Sequence, residues 1–221
     1  MAFGPDKMIE RQVSDLETIA EIRAAYPTVW VDIVQFGDAE LIAGVGDAFG
    51  LHKLALEDAI NTHQRPKVEE FEDHLFIVAL MLNDELSVDT EQVAFFVGAG
   101  YLITFQERPG DCFENVRDRI RKVSGRIREA RSDYTCYALL DAIIDTYFPA
   151  LESVGDLLET LEDRVIGSPK PGNISDLHDM KRRLLLLRRA IWPHREVFNT
   201  LLRDEHPLIG SDTRPFLRDC Y

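Results

Sequence analysis

The most constraining feature of this sequence is an uncharged apolar run over residues 93–105, interrupted by Gly98 and Gly100. A membrane-spanning helix needs about 20 apolar residues, and this run is shorter. Two apolar stretches separated by a short glycine-containing connection are typical of a β-hairpin. The run therefore predicts two buried strands, at residues 92–97 and 101–105.

Strands and helices alternate in the first half of the chain. Valine, isoleucine and aromatic residues predict further strands at residues 29–36, 67–71 and 75–82. Helical spacing predicts helices at residues 38–49, before Gly50, and at about 54–61. This mixture favours the α+β class, with an α/β/α arrangement in which helices flank a mixed β-sheet.

The second half predicts helices. A capping-box pattern begins a helix at Asp111, which we expect to end near residue 131. A second helix is predicted at residues 134–166 with a kink at Pro149, and a third at residues 175–203 with a bend at Pro193.

The connection between the two long helices is short and rich in proline and glycine, which predicts an antiparallel helical hairpin. We therefore expect three regions. Residues 1–130 form the α/β domain, residues 131–210 form the long hairpin, and residues 211–221 begin a stalk helix whose continuation lies outside this sequence.

Composition excludes several classes of protein. The 39 acidic and 25 basic residues give a net charge of −14, which disfavours nucleic acid as a partner because phosphates would be repelled. Three cysteines without a CxxC spacing argue against a disulfide framework or a structural zinc site. The histidines show no HExxH spacing, and the chain has neither a Walker loop nor a GxSxG motif, so we expect no enzyme.

An acidic stripe is the strongest functional signal in the residues themselves. Residues 133–163 hold eight acids and no lysine or arginine. On one continuous helix, six of these acids would fall within a sector of roughly 60°. The six are Asp141, Asp145, Glu152, Asp156, Glu159 and Asp163.

Three kinds of partner could neutralise this stripe. Residues 181–195 hold six basic residues and no acid, so an ion-pair seam with the following helix is one interpretation. A surface that concentrates divalent cations is a second, and simple solvation is a third.

The connection at residues 83–89 carries three acids between two predicted strands. Turns favour Asn and Asp, so an ordinary polar hairpin is one interpretation. A hard-cation site is the other, because Mg²⁺ takes one or two carboxylates and keeps several waters.

From about Val29 to the end, the sequence resembles the CorA-type divalent-cation transporters. The matching motifs occur in the family's order. They are LEDAIN at 56–61, THQRPKV at 62–68, FQE at 105–107 with GD at 110–111, VRDRI at 116–120, YF at 147–148, IWP at 191–193 and FLRD at 216–219.

The resemblance implies the cytoplasmic part of a homopentameric channel in the inner cell membrane, which transports Mg²⁺ and also Co²⁺ or Ni²⁺. Its membrane helices and Gly-Met-Asn pore motif would lie beyond Tyr221, and the isolated fragment could be monomeric. A zinc transporter of the same superfamily is the alternative. A metal-dependent enzyme using the acids near residue 84 is a third interpretation, disfavoured because no nucleophile or base accompanies them.

The resemblance also implies regulatory Mg²⁺ sites between neighbouring subunits, at which bound Mg²⁺ holds the channel closed. Asp84 matches the family's ligand after the strand at 75–82, and Glu85 is its substitute. Asp156 matches an acid of a second site. The partner carboxylate of the first site would lie on the neighbouring stalk helix, beyond Tyr221.

Overall fold

The structure, a computed structural model, describes residues 1–84, 88–167, 172–203 and 206–221, with residues 172 and 173 described by their backbone alone. Within these ranges the chain forms one mixed seven-stranded sheet of order β2-β1-β3-β7-β6-β5-β4, in which β3 and β7 are parallel and the other pairs antiparallel. The strands are β1 Ala2–Phe3, β2 Met8–Ile9, β3 Thr28–Val34, β4 Lys67–Glu70, β5 His74–Asp84, β6 Asp89–Gly98 and β7 Tyr101–Gln106.

Helices cover both faces of the sheet, which confirms the predicted fold class. The helices of the described ranges are α1 Leu16–Ala25, α2 Ala39–Phe49, α3 Lys53–Ile60, α4 Glu114–Arg121, α5 Ser132–Asp145, α6 Tyr147–Gly167, α7 Gly172–Arg203 and α8 Arg214–Cys220. Alternate strand residues enter two cores. Phe96 and Ile103 pack with α1–α3, whereas Phe95 and Leu102 pack in the core that includes α4–α8.

The predicted glycine hairpin forms the centre of this sheet. Gly98 pairs with Tyr101, so Ala99 and Gly100 make the two-residue connection. Gly100 has φ +76°, and an added Cβ would lie 2.9 Å from the Pro27 carbonyl oxygen. Glycine is therefore required here both by the left-handed backbone and by the close approach.

Two features of the first helical layer differ in how well the sequence predicted them. Helix α2 has the expected ends, since Asp38 accepts a hydrogen bond from the Leu41 N–H and Gly50 is left-handed. Helix α1 was not predicted, although Asp15 caps it by accepting from the Thr18 N–H at 2.7 Å.

The predicted helix to residue 131 was wrong, because α4 ends at Arg121. Val123 (φ +53°) and Gly125 (φ +71°) turn the chain away from the helical path. The Arg128 side chain then donates to the carbonyls of Ile120 (2.6 Å) and Arg121 (3.1 Å). These bonds satisfy carbonyls that the end of a helix leaves without an intrahelical partner.

The predicted single helix at residues 134–166 is two helices, broken at Thr146. Pro149 lacks the N–H that would bond the Asp145 carbonyl, so the interruption falls at the turn before the proline. Helix α5 lies on the sheet, where Ser132 Oγ donates to the Gly98 carbonyl at 2.6 Å. Helix α6 continues away and packs on α7.

Helices α6 and α7 are antiparallel. Arg164, near the end of α6, pairs with Asp176 near the start of α7 at 3.0 Å. Tyr147, at the start of α6, contacts His194 in the second half of α7, with ring centroids 5.8 Å apart. The helical hairpin is therefore confirmed, and its tip at residues 168–171 lies outside the described residues.

Two side chains of this hairpin bind the backbone of Leu80 on β5. On this edge, strand β4 pairs with β5 only from Leu75 to Val78, and no other described strand covers β5 beyond Val78. The Leu80 N–H donates to His194 Nε2 at 3.0 Å, and the Leu80 carbonyl accepts from the Tyr147 hydroxyl at 2.7 Å. We call this set of contacts the Leu80 clamp.

The tautomer of His194 is set by the clamp. Its Nδ1 lies 2.8 Å from the Ala190 carbonyl oxygen, which can only accept, so Nδ1 carries the hydrogen and Nε2 is the acceptor. The side chain is 2% exposed. Burial lowers the pKa of His194 to about 4, because the charged imidazolium would lose its hydration.

We predict that the free energy of unfolding falls by about 2 kcal/mol between pH 7 and pH 5 through His194 alone. The unfolded chain binds a proton below pH 6.5, whereas the folded chain does not until about pH 4. Stability is thus lost as the pH falls through this window. Urea unfolding at the two pH values should show that His194→Gln removes this part of the pH dependence.

His63→Gln, which changes an exposed histidine, is the matched control and should keep the pH dependence of the original chain. An unchanged pH dependence in His194→Gln would contradict the assignment.

Candidate functional site

The exposed acids of α6 form the first part of the candidate site. Within the described residues, none of these carboxylates makes an ion pair. The opposite side of the helix is buried through Ala150, Val154 and Leu161. We call this group the α6 acidic face, and its members are Glu152, Asp156, Glu159, Glu162 and Asp163.

The two acids of the predicted stripe that lie on α5 have different surroundings. Asp141 is half-buried and accepts from the Cys220 thiol at 3.2 Å, which joins α5 to α8. Partial burial and the nearby charge of Asp141 raise the pKa of Asp145. The stripe is therefore divided at Thr146 into a structural part on α5 and the α6 acidic face.

The basic residues of α7 do not neutralise these acids. Arg188 lies over the Trp192 ring, and Arg195 donates to the Tyr221 hydroxyl at 3.0 and 3.1 Å. Among the described residues, the six basic side chains at 181–195 form no ion pair with α6. Arg164 and Asp176, near the hairpin tip, do form an ion pair between the two helices, with the base on α6 and the acid on α7. Within the described ranges, the predicted seam of α6 acids with α7 bases is therefore not seen.

Asp84 lies at the other end of the candidate site, where β5 ends. It is exposed and pairs in register with Asp89, the first residue of β6, beside a register shift after Leu82. Glu85, the predicted substitute ligand, lies outside the described residues. Two acidic residues are therefore paired through their backbones at the base of the predicted cation loop.

A buried carboxylate fixes the base of this loop, and the sequence analysis missed it. Glu91 is 1% exposed and accepts from the Arg108 N–H at 2.8 Å and from Asn83 Nδ2 at 3.0 Å. The Arg108 guanidinium in turn pairs with Asp89 at 2.6 Å. Glu91 thus holds Asn83, the residue directly before Asp84.

Asp84 and Asp156, which the resemblance assigns to two separate sites, lie on different elements of the structure. Asp84 lies on β5 and Asp156 on α6. In the parts of the chain that the structure describes, no three His, Cys, Asp or Glu side chains come together in a way that could hold a metal ion.

The motif residues at 56–68 take part in a network of hydrogen bonds within the fold. Asp58 accepts from Lys67 at 2.6 Å, and Gln92 donates to the Asp58 carbonyl at 3.0 Å. The Gln64 N–H donates to the side chain of Gln92 at 3.0 Å. This network fixes the connection between α3 and β4 against the sheet.

No helix in the described ranges combines the length and the apolar character needed to cross a membrane.

Three comparisons place this architecture among known proteins. Residues 28–221 match the family model described as "CorA-like Mg2+ transporter protein". The chain is 39% identical over 224 residues to "Cobalt/magnesium transport protein CorA" of Thermotoga maritima, covering all of this chain and 64% of the relative. It is 31% identical over 194 residues to "Putative metal ion transporter YfjQ" of Bacillus subtilis, covering 87% and 59%.

Solved structures share the fold. The soluble domain of CorA from Methanocaldococcus jannaschii superposes with a TM-score of 0.77 at 18% identity, covering 99% of this chain and 84% of that one. The ZntB cytoplasmic domain from Vibrio parahaemolyticus gives 0.70 at 13% identity, covering 88% and 76%.

The chain spans less than two thirds of the length of the Thermotoga and Bacillus relatives. Its similarity to them nevertheless extends over most or all of its own residues. The family resemblance of the motifs is thereby confirmed, and the chain belongs to the CorA-like Mg2+ transporter family, whose members are transporters and not enzymes.

Proposed function

We propose that this chain is the cytoplasmic Mg²⁺-sensing domain of a homopentameric channel in the inner cell membrane. The channel passes Mg²⁺ and also Co²⁺ or Ni²⁺, and Mg²⁺ bound between neighbouring copies holds it closed. The α6 acidic face, which no basic group of the described chain neutralises, is the observation that carries the proposal. The name of the Thermotoga relative, a cobalt and magnesium transport protein, agrees with the choice of ions.

The acidic face has an electrostatic cost within a single copy. Glu152 and Asp156, Asp156 and Glu159, and Glu159 and Asp163 are neighbours at helical spacings of three or four. Each such like-charged pair destabilises a helix by about 0.2–0.5 kcal/mol. A divalent cation shared with carboxylates of a second copy would reduce this repulsion and favour the assembled arrangement.

Mg²⁺ suits such shared sites. It binds through one or two carboxylates and keeps several waters, so it does not need a complete set of protein ligands. Asp84, Glu85 and Asp156 are the proposed ligands on this chain. A neighbouring copy would supply the remaining carboxylate of each site.

Weak binding of Mg²⁺ lets the sensor respond to changes in the cellular Mg²⁺ concentration. When cellular Mg²⁺ falls, the shared sites empty and the repulsion between facing acids returns. The population then shifts towards looser, conducting arrangements of the pentamer. The pore and the membrane helices belong to the remainder of the full-length protein, and the isolated chain need not form a pentamer.

The zinc alternative is tested by transport itself. The fold shared with ZntB, at 13% identity, does not favour zinc over magnesium. Liposomes containing the full-length protein should therefore take up Mg²⁺ and Co²⁺ when Zn²⁺ is absent. Uptake restricted to Zn²⁺ would support the alternative and overturn the proposed substrate.

We predict that neutralising the α6 acidic face stabilises the isolated chain at low ionic strength. The triple variant Glu152→Gln, Asp156→Asn, Glu159→Gln should raise Tm by about 2–4 °C in 20 mM salt, because repulsion worth about 1 kcal/mol is removed. The gain should largely vanish in 1 M NaCl, where charges are screened within about 3 Å. Differential scanning calorimetry measures both effects.

The control carries the same change in net charge at three separated exposed acids, as Asp6→Asn, Glu107→Gln, Glu129→Gln. It should change Tm by less than the α6 variant. An equal gain in the two variants would show that net charge, and not the α6 acidic face, is responsible.

We also predict that Asp84→Asn and Asp156→Asn in the full-length protein weaken closure by Mg²⁺. Loss of one ligand carboxylate should raise the half-inhibiting internal Mg²⁺ concentration at least about tenfold, which corresponds to 1.4 kcal/mol of binding. Ion flux into liposomes loaded with graded Mg²⁺ measures this concentration. Asp6→Asn is the control, and an unchanged value in both site variants would refute the assignment of these ligands.

A further inference from the structure

A cavity of about 780 Å³ lies beside β3, along the edge of this strand that pairs with β1. Residues 10–14, between β2 and α1, pass along its rim, and α1 and α2 supply another wall. The metal-sensing function proposed above does not use this cavity. It lies at the end of the sheet formed by β2, β1 and β3, whereas β5, which carries Asp84, lies near the opposite end.

The floor of the cavity is an open strand edge. Val29 and Gln35 donate their N–H groups towards β7, to the carbonyls of Gly100 and Gln106. Because strand residues alternate, the N–H and carbonyl groups of residues 30, 32 and 34 point to the other edge. Trp30 is paired there with Met1, in both directions, at 2.7 and 2.8 Å.

Beyond Trp30 this edge has no covering strand within the described residues. Strand β1 pairs only with Thr28 and Val29. Asp32 and Val34 therefore present two N–H donors and two carbonyl acceptors into the cavity. Gln35, with φ +69°, ends the regular strand immediately afterwards.

The two walls differ in chemistry. Ile22, Leu41 and Val45 make the wall formed by α1 and α2 apolar. The opposite wall is polar, because Arg117 reaches it from α4 and pairs there with Asp32 at 2.7 Å. Glu10 and Arg11 line the rim beside it.

We propose that the open edge of β3 binds an extended peptide that runs antiparallel to β3, in line with β1. Its backbone pairs with Asp32 and Val34. Its side chains alternate, with apolar residues against α1 and α2 and polar residues against the wall that holds Arg117 and Asp32. This is strand addition, in which the backbone supplies affinity and the alternating side chains supply selectivity.

The continuity with β1 supports this occupant. Ala2 pairs with Val29 and Met1 with Trp30. A second strand placed next to Met1, in line with β1, would therefore lie opposite Val31–Val34 in the same antiparallel register. A compact ligand would not match a row of alternating donors and acceptors. An apolar wall on one side and a polar wall on the other select a peptide whose side chains alternate in the same way.

The test uses the 221-residue chain labelled with ¹⁵N and the peptide acetyl-Lys-Val-Lys-Val-Lys-Val-amide as the probe. In the free chain the amide hydrogens of Asp32 and Val34 should exchange quickly with solvent, and those of Val31 and Ile33 slowly. Bound peptide should slow exchange at Asp32 and Val34 at least about tenfold. No binding at millimolar peptide, or binding without this protection, would overturn the proposal.

Two N-methylated peptides separate strand addition from general attraction to an acidic protein. Methyl groups on alternate amides remove the donors along one edge while sequence and charge stay the same. One of the two alternating patterns should abolish binding and the other should leave it within about twofold. Equal binding of both peptides would show that no strand forms.

Val34→Pro provides the test from the protein side. It removes an N–H that faces the cavity and none that bonds β7, so the sheet ladder is kept. Affinity for the probe should fall at least tenfold, whereas Val34→Ala, which keeps the N–H, should bind within twofold. Val34 is 39% exposed, so the loss of its side chain has little effect on packing. Unchanged affinity in a folded Val34→Pro would refute the proposal, and the methylated peptides decide the question independently of how this variant folds.

Discussion

The hydrogen bonds at Leu80 determine how the two halves of this protein are joined. A buried backbone N–H or carbonyl without a partner costs about 1–3 kcal/mol, so the open part of β5 needs partners from elsewhere. Tyr147 and His194 supply them, one from the start of α6 and one from α7. The sheet is thereby tied to both helices of the hairpin at one point. The clamp lies four residues before Asp84 on the same strand.

The clamp and the break at Thr146 together fix the direction of the α6 acidic face. Helix α6 begins with the clamped Tyr147 and buries Ala150, Val154 and Leu161. Its acids must then point to solvent, away from the basic side chains of α7. The two sets of charges are separated by geometry, and this leaves the acidic face available to a cation or to another copy.

Local patterns predicted the parts of the fold that local chemistry decides. Gly50 and Gly100 adopt the left-handed backbone that their turns require, and Asp38 caps α2. The end of α4 could not be predicted in this way, because Arg128 caps it from beyond the helix. The clamp joins residues 114 positions apart, and no periodicity indicates such a contact. The acidic stripe was visible, but its division at Thr146 was not, and the ligand roles of Asp84, Glu85 and Asp156 came only from the family resemblance.

The central claim is that divalent cations bind between copies through these acids. Crystals of the full-length protein grown with Mn²⁺ in place of Mg²⁺ test it most directly, because anomalous scattering locates the ion. The account predicts peaks about 2 Å from carboxylate oxygens of Asp84 or Asp156, with a carboxylate of a neighbouring copy on the other side. Well-occupied Mn²⁺ elsewhere, with no peak beside either acid, would contradict it.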